Sequence, residues 1–71
     1  MGEYKAGFTI NEASDYTGIG RNTIRRLIDW GKIPVLKVGR KTIIRRDTLE
    51  EFLKVNQGRN LMSEADVKSV V

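Results

Sequence analysis

The stretch Arg21-Asn22-Thr23-Ile24-Arg25-Arg26-Leu27-Ile28-Asp29-Trp30-Gly31 decides the fold. Ile24, Leu27 and Ile28 stand at i, i+3 and i+4, one apolar stripe on a helix of period 3.6. At about 100° per residue, Asn22, Arg26 and Asp29 fall opposite that stripe, and Thr23 and Arg25 lie on its flanks. Gly31 supplies a left-handed C-terminal cap, and Pro34 prevents the helix from resuming.

Upstream, Thr9 and Glu12 have the spacing of a capping box, with Ile10, Ala13 and Tyr16 or Thr17 following at helical intervals. Thr17-Gly18-Ile19-Gly20 ends this first helix after roughly two turns. Ile19 between two glycines predicts a tight turn with one side chain plugged into the core. Two short helices joined by such a turn read as a helix-turn-helix.

Downstream, Val35-Leu36-Lys37-Val38 and Thr42-Ile43-Ile44-Arg45 are β-prone runs separated by Gly39-Arg40-Lys41. They predict a hairpin with a basic tip. Asp47 and Glu50 repeat the capping-box spacing, and Leu49, Phe52 and Leu53 predict the buried stripe of a third helix. Gln57-Gly58-Arg59-Asn60 breaks it. The fold expected is α+β: a small winged helix-turn-helix with a two-stranded wing and a third helix over residues 8–57. Residues 58–71 are expected to form a mobile or partner-binding tail, with a short helix starting at Ser63.

Composition narrows the function. The 71 residues contain neither Cys nor His, which leaves no disulfide, no thiolate metal site and no imidazole proton shuttle. No metal or other cofactor is expected. Glu12 and Asp15 lie three apart on one helix, but Glu12 is committed to the capping box. Gly18-Ile19-Gly20 lacks the further glycine and preceding strand of a dinucleotide loop, and no phosphate-loop motif occurs. Catalysis is not expected. No run is long and apolar enough to cross a bilayer, which takes about 20 residues, and the start Met1-Gly2-Glu3-Tyr4-Lys5 lacks the order of a signal peptide. An intracellular protein with neither membrane partner nor small-molecule ligand is the expectation.

The net charge of +4 is unevenly placed. From Arg21 to Arg46, nine basic residues accompany one acid, Asp29, while the rest of the chain holds four bases and eight acids. One positive side is the electrostatic footprint of a polyanion binder. Combined with a winged helix-turn-helix, it points to double-stranded DNA. The second helix would enter the major groove and the wing would lie on the backbone or in the minor groove. Arg21, Asn22, Thr23, Arg25 and Arg26 are the recognition-helix candidates. Asn22 and Arg26 suit bidentate contacts to adenine and guanine, and Arg21 and Thr23 suit phosphates. Lys37, Arg40, Lys41, Arg45 and Arg46 are the wing and backbone candidates, although Arg45 or Arg46 could instead neutralise Asp47 or a third-helix glutamate. Trp30 and Tyr16 are expected to pack at the core edge, and Asp29 to pair with Arg25, Arg26 or Lys32.

The residues Thr9-Ile10-Asn11-Glu12-Ala13-Ser14, Tyr16, Ile19-Gly20, Asn22 and Arg25-Arg26-Leu27 resemble the first half of excisionases of conjugative transposons. Gly31-Lys32-Ile33-Pro34-Val35, Val38-Gly39-Arg40-Lys41, Arg45-Arg46-Asp47 and Leu49 resemble the wider excisionase-type, MerR-like helix-turn-helix family. The resemblance covers about residues 8–56. Thr42 departs from it where many relatives carry an aromatic, and Ile43 where Arg is common. It implies an accessory protein, or recombination directionality factor, that bends arm-site DNA and promotes excision by a tyrosine-family integrase. Implied partners are that integrase and neighbouring copies of the protein on DNA, in the bacterial cytoplasm with the nucleoid. A small transcriptional regulator of a mobile element or phage is the alternative with the same fold. A MerR-type regulator would need a long dimerisation helix, which the 15 residues after Asn56 do not accommodate. An adaptor presenting its basic face to an acidic protein is the competing class.

Overall fold

The computed structural model describes residues 6–70. In chain order it contains β1 (Gly7–Phe8), α1 (Ile10–Thr17), α2 (Arg21–Asp29), β2 (Leu36–Val38), β3 (Lys41–Arg45) and α3 (Arg46–Val55), followed by a 3-10 turn at Glu64–Asp66. It is a winged helix-turn-helix, with one strand beyond the expected hairpin. β1 pairs with one end of β3 through Gly7–Arg45 and Phe8–Ile44. β2 pairs with the rest through Leu36–Ile43, Lys37–Thr42 and Val38–Lys41. The result is a three-stranded antiparallel sheet in the order β1-β3-β2. A two-residue strand is too short to show alternation, so β1 left no periodic signal in the sequence.

Local chemistry sets the helix ends. The α1 capping box forms as expected, with Glu12 N donating to Thr9 Oγ1 at 3.2 Å and Thr9 N donating to Glu12 Oε1 at 3.0 Å. In the helix-turn-helix turn the Thr17 hydroxyl donates to Ala13 O and accepts from Ile19 N, while Ile19 packs against the core. α2 ends in a Schellman motif: Gly31 N donates to Ile28 O and Lys32 N to Leu27 O, with Gly31 at φ 75°. That φ suits glycine, which has no Cβ to clash. The wing turns at Gly39-Arg40, one residue tighter than expected. A positive φ at Gly39 alone is the pattern of a type II′ hairpin.

The capping box expected at Asp47 and Glu50 does not form. α3 begins two residues earlier, at Arg46, with Arg45 in place of Asp47 at its N-cap and no side-chain cap. Arg46 N donates to Ala6 O at 2.9 Å, so the ladder beside β1 runs directly into the helix and leaves no free turn before Asp47. Asp47 instead bonds Arg45, and Glu50 meets Tyr16 and Arg46.

Ile24, Leu27, Ile44, Leu49 and Phe52 form the centre of the core, with Phe8, Ala13, Ile33 and Val67 around them. Fully burying one such large side chain stabilises the fold by about 1.5–3 kcal/mol. Ile28 and Trp30 pack on its margin. Leu53, expected inside, is 37% exposed, because Leu49 and Phe52 already fill the α3 side of the core.

The composition of residues 58–71 predicted a mobile tail; in the structure the described part of this segment lies against the domain. Val67 is buried, and Asn56, a buried polar residue, bonds Lys68 twice.

Candidate nucleic-acid interface

Arg25 sits at the centre of the basic face. It lines a cleft of about 360 Å³ with Thr9, Ile10 and Asn11 at the start of α1 and with Arg40, Lys41 and Thr42 on the wing. An adjoining recess adds Ile28, Asp29 and Lys37. A third concavity joins Arg25 to Arg21, Asn22 and Thr23 at the start of α2. One arginine therefore borders the wing, the α1 terminus and the α2 terminus.

Two hydrogen bonds fix side chains on this surface. Arg25 Nη1 donates to Asn22 Oδ1 at 3.2 Å, one helical turn apart. Lys37 Nζ donates to Thr42 Oγ1 at 2.9 Å across the hairpin. Lys37 and Thr42 are register partners, so their side chains share the sheet face that borders Arg25. Arg40 and Lys41, at the tip, are exposed. At the start of α2 the N-cap is Gly20, which offers no side-chain oxygen, and the first intrahelical donor is Ile24 N. The N–H groups of Arg21, Asn22 and Thr23 are thus the open donors of a helix N-terminus, whose partial positive charge favours anions.

Other expected site residues are placed differently. Arg26 shares the outward side of α2 with Asn22 on the helical wheel, yet it turns away from the wing cleft. Its guanidinium carbon lies 5.9 Å from the Trp30 ring centroid, and Nη1 donates to Met62 Sδ at 3.4 Å. Arg45 is held by Asp47 at 2.8 Å, and Arg46 lies 3.5 Å from Glu50. Both arginines meet the acidic partners that sequence offered as the alternative to DNA. Among the described residues, Asp29 makes no ion pair with Arg25, Arg26 or Lys32; it lies in the recess between Arg25 and Lys37.

Opposite the wing, Tyr16 is 47% exposed. Its ring stacks on Phe8 with centroids 4.8 Å apart, and its hydroxyl donates to Glu50 Oε2 at 2.7 Å. That bond, with burial and the Glu50 charge behind it, holds the phenol pKa above the ordinary tyrosine value, against a smaller opposing effect of Arg46. The contact clamps α1 to α3 behind the basic face.

Sequence reasoning missed Thr9, Ile10, Asn11 and Thr42 as cleft residues. No pattern along the chain announces them, because they meet Arg25 only through the approach of α1 to the wing. Among the described residues, no helix is long and apolar enough to cross a membrane.

The family model for the helix-turn-helix domain matches residues 8–57, most of the chain. The chain belongs to the helix-turn-helix domain family. This family includes excisionase-like DNA-binding proteins and is typically non-enzymatic. No curated protein and no solved structure matches the chain. In a helix-turn-helix protein the second helix is the one presented to the major groove. Here that helix is α2, which carries Asn22 and Arg25.

Proposed function

We propose that this helix-turn-helix protein is a sequence-specific, double-stranded-DNA-binding accessory protein that acts as an excisionase, or recombination directionality factor. It binds arm-site DNA of a mobile element, bends it and promotes excision by a tyrosine-family integrase, in the bacterial cytoplasm alongside neighbouring copies of itself. The chain performs no chemistry of its own. Residues 8–57 form the DNA-binding unit.

The observation that carries DNA binding is the position of Arg25 on α2, which borders Lys37, Arg40 and Lys41 of the wing in two adjoining concavities and is hydrogen-bonded to Asn22. Asn22 and Arg25 read base edges in the major groove. The open N–H groups of Arg21, Asn22 and Thr23, with the Arg21 and Thr23 side chains, hold a phosphate. Lys37, Arg40 and Lys41 hold the backbone beside the wing, and Arg26 contacts the duplex from the far flank of α2. Arg45 and Arg46 contribute through long-range charge, since each already has a carboxylate partner. The excisionase role is supported by the resemblance over residues 8–56 and by the membership of the family.

Binding to a duplex measured against salt, followed by an excision assay with the element's integrase, tests this function. If about six phosphates are neutralised, log K should fall against log salt with a slope near −5. Stimulated excision supports the excisionase role. Tight binding that changes a promoter fusion but not excision would assign a transcriptional regulator. A flat salt dependence would remove DNA and leave an adaptor for an acidic protein.

A further inference from the structure

The segment after α3 closes back onto the end of the recognition helix, and we infer that it is a positioning arm for DNA binding. This inference rests on the DNA-binding function proposed above and assigns a role to residues outside the 8–57 unit.

Asn56 anchors the arm. Its side-chain amide is buried, with Nδ2 donating to Phe52 O at 2.9 Å and to Lys68 O at 3.0 Å, and Oδ1 accepting from Lys68 N at 2.7 Å. A buried amide satisfied in this way specifies a single placement of the segment it bonds, because any other would leave polar groups buried away from water. Arg59 and Asn60 close the arm internally on Asp66. Val67, next in the chain, then enters the core.

From this anchor the arm reaches α2 and the loop that follows it. Val70 N donates to Lys32 O at 3.1 Å, fixing the loop that leaves the Schellman motif. Nearer the outward face, Met62 Sδ accepts from Arg26 Nη1 while Trp30 lies under the guanidinium. An arginine side chain free in solvent samples many rotamers, and freezing it on binding opposes association. Held between an aromatic face and a polarisable sulfur, Arg26 meets DNA already ordered. Met62 is 60% exposed, so its contact with Arg26 lies at the surface, where a DNA partner can reach the pair. Met62 is thus a positioning residue: it acts on DNA through Arg26.

The test uses the full-length chain, with Met62→Ala, Arg26→Ala and the double variant. The probes are a duplex selected from a randomised pool by the wild-type protein and an unrelated duplex of equal length. Because Met62 is exposed, Met62→Ala should leave the unfolding midpoint unchanged. It should weaken the selected and the unrelated duplex to similar extents, about three- to tenfold, since Arg26 contacts the duplex from the flank of α2. In the Arg26→Ala background it should have no further effect, the coupling expected of contacting residues. Met62→Leu should restore part of the loss by restoring bulk. Amide exchange should show Lys68 and Val70 N–H protected in the wild type. Unprotected amides, unchanged affinity in Met62→Ala, or an equal loss in both backgrounds would overturn the arm. If the wild type bound no duplex while those amides stayed protected, DNA binding itself would fall, and the positioning role with it.

Discussion

Asn22 and Arg25 are joined by a 3.2 Å hydrogen bond on α2, so the two polar side chains are presented as one unit whose Arg25 borders the wing. Asn22 Oδ1 accepts from Arg25, which leaves the Asn22 amide nitrogen and the remaining guanidinium donors to face a ligand. The pair has preset orientation without a buried partner.

Asn22→Ala and Arg25→Ala should each cost the selected duplex about 1–3 kcal/mol and relax base preference at the positions they read. The double variant should lose less than the sum, since each residue orients the other. Binding-site selection on randomised duplexes would show it. Preserved base preference in both single variants would move the recognition surface elsewhere.

Arg40→Ala and Lys41→Ala should weaken selected and unrelated duplexes to similar extents. Each should reduce the steepness of the salt dependence by about one phosphate's worth. Both residues are exposed at the wing tip, and wing contacts position the protein on the backbone more than they read bases. Titrations at several salt concentrations measure the slope; an unchanged slope would take the tip off the DNA.

Leu27→Ala and Phe52→Ala should each destabilise the fold by about 2–5 kcal/mol, because both side chains are fully buried. Leu53→Ala, on the same helix as Phe52, should cost under about 1 kcal/mol. Chemical denaturation of the three variants distinguishes the observed orientation of α3 from the one its sequence pattern implied. A large loss at Leu53 would contradict the orientation seen.

Tyr16 should titrate above the ordinary tyrosine range, and Glu50→Ala should bring it back down. The neutral hydroxyl is the donor, and ionising it would place a phenolate beside a carboxylate. The α1–α3 clamp is therefore intact below the ordinary tyrosine pKa and is lost as pH rises through the raised value. Ultraviolet titration of tyrosinate, with Tyr16→Phe subtracting the signal of Tyr4, follows the group. An unshifted Tyr16 would mean the clamp is open in solution.

The helices, the turn between them, the wing and most of the core were legible in the sequence, since each rests on chemistry within a few residues. The Thr9–Glu12 box, the Gly31 cap, the Gly39 turn and the Ile24–Leu27 spacing are all local patterns, and each formed. The same logic failed at Asp47 and Glu50, whose spacing imitates a cap. There a non-local bond from Arg46 N to Ala6 O starts the helix early, and ion pairs and the Tyr16 hydroxyl engage both carboxylates.

By itself, the sequence determined that a basic face would coincide with a recognition helix and wing, because charge and periodicity are both written along the chain. Tertiary structure decided which of those charges are available to a ligand. Arg25 and Arg26 are neighbours with the same composition and propensity, but successive helical residues point about 100° apart. One therefore borders the wing cleft and the other meets Trp30 and Met62. For Arg45 and Arg46 the sequence left DNA and a nearby carboxylate as alternatives, and the structure shows the pairs with Asp47 and Glu50 formed. The placement of residues 59–70 depended in the same way on Asn56, whose amide finds Lys68 twelve positions away only once Val67 is buried. Periodicity reports the face on which a residue lies; the partner it meets there is set by chain segments distant in sequence.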